Sequence, residues 1–225
     1  MWSQDFKDRG YVHLQAAIAA EPLDDIRRQL DALPSDDAGT RNLLRQGFRR
    51  KLIPALREHL HGYGLLLPDA VAVQCTLFWK THFRNWKVAL HQDLGVPVAE
   101  LVHHPALSGW SQKEGGLFVQ PHTDMLDGML VARLHVDACG MNDGPLRVVP
   151  GSHRMGRLSP QRAAELRRRE GEVDCEAQPG DVLVMKPLLL HASSKARRPS
   201  GMRRVLHFLF GPADPGYGLR WSDAI

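Results

Sequence analysis

The chain has 225 residues, 43% hydrophobic and 24% charged, with 20 Gly and 15 Pro, a globular composition that excludes a disordered, collagenous or coiled-coil chain. Its net charge of +4 comes from 29 Lys+Arg against 25 Asp+Glu spread along the sequence, without the one-sided basic face of a nucleic-acid binder. No apolar run approaches the roughly 18 residues of a membrane span and Met1 to Gly10 lacks the apolar core of a signal peptide, so a single cytoplasmic domain over residues 1–225 is expected.

Gly10 to Leu14 predicts a short strand bounded by glycine. Glu21-Pro22 opens a helix whose Leu23, Ile26, Leu30 and Leu33 recur at helical spacing. Pro34 to Thr40 reads as a polar loop. A second helical region runs from Leu43 to about His61, interrupted by Pro54, with Leu44, Phe48, Ile53, Leu56 and Leu60 as its apolar stripe. Residues 1–69 are thus a helical flank.

From Ala70 the texture changes to short β-like runs between turn signals: Val71 to Trp79, Leu130 to Val136, Pro145 to Val149, Val182 to Met185 and Arg204 to Phe210. This is the pattern of a β-sandwich or jelly roll, here spanning 70–211. The stretch 94–129, with Pro97, Pro105, Gly109, Gly115-Gly116 and Pro121, is too long for a structureless connector and is expected to be a lid over a site. Pro160 to Glu170 is an amphipathic helix inserted among the strands. The basic clusters at Arg49 to Lys51, Arg167 to Arg169 and Lys195 to Arg198 read as solvated faces. Cys75, Cys139 and Cys175 lie far apart and form neither a C-x-x-C pair nor a disulfide framework, so reduced structural thiols are expected.

The compositional outlier is histidine, 12 in 225 residues. In Leu90-His91-Gln92-Asp93, an extended backbone turns His91 and Asp93 to one face and Gln92 to the other. That supplies two ligands of the two-histidine, one-carboxylate set by which non-haem iron is held with coordination positions left open. A second histidine, His191, ends the apolar run that follows Gly180-Asp181. Twelve residues further on, Arg203 opens Arg203-Arg204-Val205-Leu206-His207-Phe208, and a guanidinium fork suits bidentate capture of a carboxylate.

These segments resemble the phytanoyl-CoA dioxygenase family of Fe(II)/2-oxoglutarate-dependent oxygenases over roughly residues 6 to 211. The resemblance rests on Asn85-Trp86-Lys87 leading into His91-Gln92-Asp93, on Leu134-His135-Val136-Asp137, and on Asn142-Asp143-Gly144-Pro145-Leu146-Arg147 running to Pro150-Gly151-Ser152-His153. Gly180-Asp181, His191 and Arg203-Arg204 complete it. It implies a mainly β fold with flanking helices, a double-stranded β-helix (jelly roll, cupin-like). It further implies Fe(II) held by His91, Asp93 and His191, with 2-oxoglutarate as cosubstrate and Arg203 on its carboxylate. Gln74, Phe78 and Lys80 are candidates to line the cosubstrate pocket, and Asn85, Trp86 and Lys87 are further candidates near the metal motif. The expected reaction consumes molecular oxygen and hydroxylates a small or medium organic substrate, with succinate and CO2 as coproducts. A retained Asp93 speaks for hydroxylation or desaturation rather than halogenation. No nucleic acid or membrane partner is expected, and the chain is expected as a monomer or homodimer.

Rival residues are present. His122-Thr123-Asp124 repeats the His-x-Asp spacing but follows no Trp-containing strand and falls in the lid. His103-His104 reads as a loop pair, His135 as a packed or hydrogen-bonded residue, and His153 as a turn former near the site. Arg204 competes with Arg203, since neighbours on a strand face opposite ways. Lys113, Arg133 or Lys195 could receive an acidic substrate, and Trp110, Phe118, Lys113 and Glu114 in the lid suggest a polar or amphipathic one. Two other functions use the same residues: a cupin-like zinc hydrolase or isomerase, and a non-catalytic β-barrel binding module.

Overall fold

The computed structural model describes residues 4–33, 40–41, 43–45, 47, 49–81, 83–197 and 202–225. The expected loop at 34–39, Phe48 of the helical stripe and Arg198 lie outside them.

Among the described residues twelve strands form three sheets. The five-stranded sheet is built from β1 (Tyr11–Leu14), β2 (Val71–Lys80), β7 (Leu130–His135), β10 (Val182–Met185) and β12 (Arg203–Gly211), in the order β1-β10-β7-β12-β2. Facing it is a four-stranded sheet of β3 (Val88–His91), β8 (Leu146–Val148), β9 (Val173–Cys175) and β11 (His191–Ser193), ordered β3-β11-β8-β9. Among the described residues the strand pairings within both are antiparallel, and together they make the expected jelly roll. The 94–129 segment is more than a lid loop. It folds a third sheet from β4 (Val96–Val98), β5 (Ser108–Lys113) and β6 (Gly116–Gln120), ordered β4-β6-β5, followed by the short helix α4 (Thr123–Gly128).

The strands of the large sheet are buried on both faces, and their period of two decides what each face receives. On β12, Leu206, Phe208 and Phe210 join the apolar layer under the helices, while Leu209 belongs to the layer between the sheets. Arg203, His207 and Leu209 line the cavity that opens there. Likewise on β7, Leu130, Ala132 and Leu134 face the helices and Val131 and Arg133 face inward. A bulge between Leu209 and Phe210 leaves Val73 of β2 without a partner in the register, so Val73 and Gln74 both serve the inner side.

The helical flank covers the outer face. After α1 (Gln4–Arg9), α2 (Ala20–Asp31) contributes Leu23, Ile26 and Leu30, and α3 (Arg49–Gly62) contributes Leu52, Ile53, Leu56 and Leu60. Pro54 does not interrupt α3 as its sequence suggested. It stands in the second turn, where the missing N–H frees only the carbonyl of exposed Arg50. The insert α5 (Pro160–Glu170) has its expected bounds, with Ser159 as N-cap and Pro160 at its first position. Cys75, Cys139 and Cys175 are free and buried, as expected.

Gly144 ties the two sheets together. Its φ is +65°, a Cβ there would lie 2.3 Å from the Ser194 carbonyl oxygen, and its own carbonyl accepts a 2.8 Å hydrogen bond from Arg203 Nη1. Gly144→Ala should therefore cost about 2–3 kcal/mol from backbone strain and crowding, read as a fall in Tm of roughly 5–10 °C. Gly115 also has a left-handed φ, +76°, but open space around it, so Gly115→Ala should lose clearly less. Equal losses in the two variants would show that the contact with Ser194 is not the cause.

Candidate active site

Between the two jelly-roll sheets, and roofed by the β4–β6 sheet, lies a cavity of about 500 Å3. A larger groove of about 790 Å3 runs between α2 and α3, but among the described residues the cluster with metal-ligand geometry is in the former: His91, Asp93 and His191, whose ligand atoms all lie within 4.8 Å of one another. His91 and His191 are register partners on β3 and β11, which sets their rings 4.2 Å apart. Asp93 lies just past the end of β3 and its backbone N–H donates to Pro187 O at 2.9 Å.

Both triad histidines make the same local hydrogen bond. His91 Nδ1 lies 2.8 Å from Ala89 O and His191 Nδ1 lies 2.8 Å from Leu189 O. A carbonyl can only accept, so in each neutral ring Nδ1 carries the proton and Nε2 keeps its lone pair. Those two bare nitrogens each stand 3.6 Å from an Asp93 oxygen, His91 from Oδ1 and His191 from Oδ2. Burial alone would raise the Asp93 carboxyl, but the imidazoles of His191, His91 and His207 outweigh it and hold the group well below the usual carboxylate range. Burial pulls His191 down to about 4, so this ring is neutral near pH 7. Asp93 Oδ2 is buried without a hydrogen-bond partner. An ionised carboxylate and two lone-pair nitrogens converging in this way fit a bound cation.

One end of the cavity is cationic. Arg203 and Lys80 are register partners on β12 and β2, with exposures of 6% and 2%. Lys80 Nζ crosses to the other sheet, donating to Ser193 Oγ at 3.0 Å and Ser194 O at 2.7 Å. Arg203 Nε is buried without a partner, a donor held ready for a ligand acceptor. Burial, and then the Arg203 charge, lower Lys80 to about 7. Deeper in, Arg133 and His207 face each other across β7 and β12, joined by a 2.8 Å contact from Arg133 Nη1 to His207 Nδ1.

Of the expected site residues, His91, Asp93, His191, Arg203, Lys80, Gln74, Phe78 and Trp86 all line this cavity. Asn85 does not; its side chain clamps the backbone N–H and carbonyl of Ala196. Lys87 is exposed. Gln92 turns to Gly156, Leu158 and Leu188. Arg204 is on the outer face, paired with Asp137 and Asp31. His122 and Asp124 are exposed and pair with each other at the start of α4. His103 and His104 are exposed loop residues and His135 is packed with neither ring nitrogen bonded. His153 stands in the short helical turn Ser152–Met155, and its Nε2 lies 3.0 Å from Lys7 O, so its side chain anchors α1. Its neighbour Ser152 is the one that reaches the triad strand, accepting from Leu190 N at 2.8 Å. Sequence reasoning did not single out Ser193 and His207; the even spacing of Ser193 from His191 and of His207 from Arg203 is the usable signal.

A double-stranded β-helix carrying a two-histidine, one-carboxylate cluster beside buried arginine and lysine defines a class of metal-binding jelly rolls. The sequence pattern of the Phytanoyl-CoA dioxygenase (PhyH) family matches residues 6–205, and the chain belongs to that family. No curated protein matches it in sequence. Among solved structures it is similar to the carbocyclase SnoK of nogalamycin biosynthesis, with TM-score 0.65 and 15% identity over 99% of this chain and 91% of that one. It is also similar to EctD from S. alaskensis (TM-score 0.64, 18% identity, 95% and 80% covered). A third is HygX from Streptomyces hygroscopicus, solved with nickel and 2-oxoglutarate bound (TM-score 0.63, 18% identity, 92% and 84% covered). At these identities the likeness establishes the fold. Among the described residues no helix is long and apolar enough to cross a membrane.

The Lys80 environment has a measurable consequence. Between about 7 and its ordinary 10.5, the unfolded chain holds a proton on Lys80 that the folded chain lacks, so stability rises with pH across that window. Denaturant unfolding at pH 7 and pH 10 should show wild type gaining stability relative to Lys80→Met. A constant difference between the two proteins would mean that Lys80 keeps an ordinary pKa.

Proposed function

We propose that the chain is an Fe(II)- and 2-oxoglutarate-dependent dioxygenase that uses molecular oxygen to hydroxylate a small or medium organic substrate, with succinate and CO2 as coproducts. The observation that carries this reading is the pair of tautomer-locked histidines facing Asp93. In it His91, Asp93 and His191 hold the iron, and residues 1–225 act as one domain, monomeric or homodimeric. Bound iron supplies oxygen activation and C–H cleavage. Arg203 holds the distal carboxylate of 2-oxoglutarate, where a buried guanidinium forms strong charge-assisted bonds, and Lys80 and Ser193 complete that end of the pocket. Gln74 and Phe78 wall the cosubstrate, and the β4–β6 roof excludes water from the reacting groups. A zinc hydrolase could use the same triad, but it gives no role to the buried cations Arg203 and Lys80.

His91→Ala, Asp93→Ala and His191→Ala should each abolish iron-supported release of succinate from 2-oxoglutarate, whereas His122→Ala should retain wild-type iron affinity. Arg203→Ala should keep its iron and raise the KM for 2-oxoglutarate about tenfold to a hundredfold, the loss of one charge-assisted contact. Iron binding lost in His122→Ala and kept in His91→Ala would sink the assignment.

The lining also bears on the substrate. Arg41, Lys80, Lys113, Arg133 and Arg203 face the cavity with Asp93 as the lone carboxylate among its described residues. Iron and the 2-oxoglutarate dianion cancel, and Arg41 is matched by Glu114 at 2.5 Å. Lys113 has no carboxylate partner among the described residues and packs its ammonium 5.0 Å from the Phe118 ring centre. This surplus of positive charge favours a substrate bearing a carboxylate or phosphate, with Lys113 as its anchor. Across matched pairs of acids and their amides, the acids should stimulate 2-oxoglutarate turnover more. Lys113→Gln should raise their KM about tenfold without changing turnover in the absence of substrate. A preference for the amides would refute the charge argument.

A further inference from the structure

Three imidazoles surround Asp93, and the third differs from the other two. His207 Nε2 lies 3.6 Å from Asp93 Oδ2, as close as either triad histidine, but its Nδ1 faces Arg133 Nη1 at 2.8 Å rather than a carbonyl. A guanidinium has donors and no acceptor, so Nδ1 of His207 must accept. In the neutral ring the proton is then on Nε2, the nitrogen turned to Asp93. His91 and His191 present lone pairs to the cluster; His207 presents an N–H.

We propose that His207 is a positioning residue for the metal-binding carboxylate: Arg133 locks its tautomer, and its Nε2–H steadies Asp93 Oδ2 while the histidines of the triad keep bare nitrogens for the metal. The inference rests on Asp93 serving as an iron ligand, as proposed above. The pair is built into the fold. Arg133 and His207 are directly opposed in the β7–β12 register, and both face inward by the strand period. Phe78 packs edge-on against the His207 ring, with centroids 5.6 Å apart, and lies 5.4 Å beneath the Arg133 guanidinium, so one ring backs both side chains. Asp93 Oδ2 is buried with no hydrogen bond at present, and His207 is the side chain beside it that carries a donor. At 3.6 Å the contact is just beyond hydrogen-bond length, and a small rotation of the carboxylate closes it. The lock also explains why this histidine, though as near to Asp93 as the others, does not compete for the metal: its nearest nitrogen has no lone pair to give.

Two measurements test this. In the metal-free protein, ¹⁵N NMR of labelled histidine should find His207 protonated on Nε2, and His191 on Nδ1; the His207 signal is identified by its loss in His207→Gln. In Arg133→Leu the His207 tautomer should become mixed. A wild-type His207 protonated on Nδ1 would overturn the proposal, and this readout needs no iron. Second, anaerobic Fe(II) titration should show His207→Leu binding iron about 10–100-fold more weakly, the usual cost of losing a partner behind a ligand. His207→Gln, which keeps an amide N–H near the position of Nε2, should stay within about threefold of wild type. Equal affinity in His207→Leu and wild type would refute the positioning role, as would equal losses in the Leu and Gln variants. His191→Ala is the companion control: if it too bound iron like wild type, the metal site itself would be wrong, whereas loss there with none in His207→Leu would sink the inference about His207 alone.

Discussion

An ionised carboxylate set among three imidazoles is the constraint on which the site depends. Desolvation opposes the charge on Asp93, and a charge kept in such a place needs a partner of opposite sign. The guanidinium of Arg133 is hydrogen-bonded to His207 and makes no salt bridge with Asp93 among the described residues. What remains in front of Asp93 is a pair of imidazole lone pairs, which attract no proton near neutral pH in the case of His191, already pulled down to about 4. The cation such a cluster selects is one that accepts nitrogen and oxygen ligands together, as first-row metals do.

The period of the strands converts that demand into geometry. Because β12 is buried on both faces, a shift of one residue would exchange Arg203, His207 and Leu209 for Arg204, Leu206 and Phe208. Such a slip would place two large apolar side chains in the cavity and two polar ones under the helices. The α2–α3 layer therefore does more than stabilise the sheet. Its appetite for Leu206, Phe208 and Phe210 enforces the register that points Arg203 inward. Arg204, left on the outer face, is satisfied there by Asp137 and Asp31.

This shows why some of the site was legible from sequence and some was not. His91-Gln92-Asp93 is local: two ligands two residues apart need only an extended backbone. The end of β11 was readable as an apolar run closing on His191, and the jelly roll from its turns and short strands. The choice between Arg203 and Arg204 depended on which face met helices, which the apolar Leu206, Phe208 and Phe210 already encode. The Arg133–His207 pair spans 74 residues and comes together only through strand pairing, so no local pattern announces it. The partner of His153 is hidden for a similar reason: Lys7 O is 146 residues away. Pro54 misled because a break is costly in mid-helix but mild near the first turn.

The cavity is also where local rules of satisfaction fail together. Asp93 Oδ2, Arg133 Nε and Arg203 Nε are all buried without partners, and each such atom costs about 1–3 kcal/mol of desolvation. A fold tolerates several of these in one place only if burial elsewhere offsets them. Here the offset is spatially separate: the continuous apolar layer from Phe6 through Leu30, Leu56 and Leu60 to Phe208 and Phe210 lies on the far side of the same sheet. The β12 strand thus carries stability on one face and unmet polar groups on the other. That division leaves the inner face free to hold donors and acceptors for ligands, without the sheet depending on those ligands to fold.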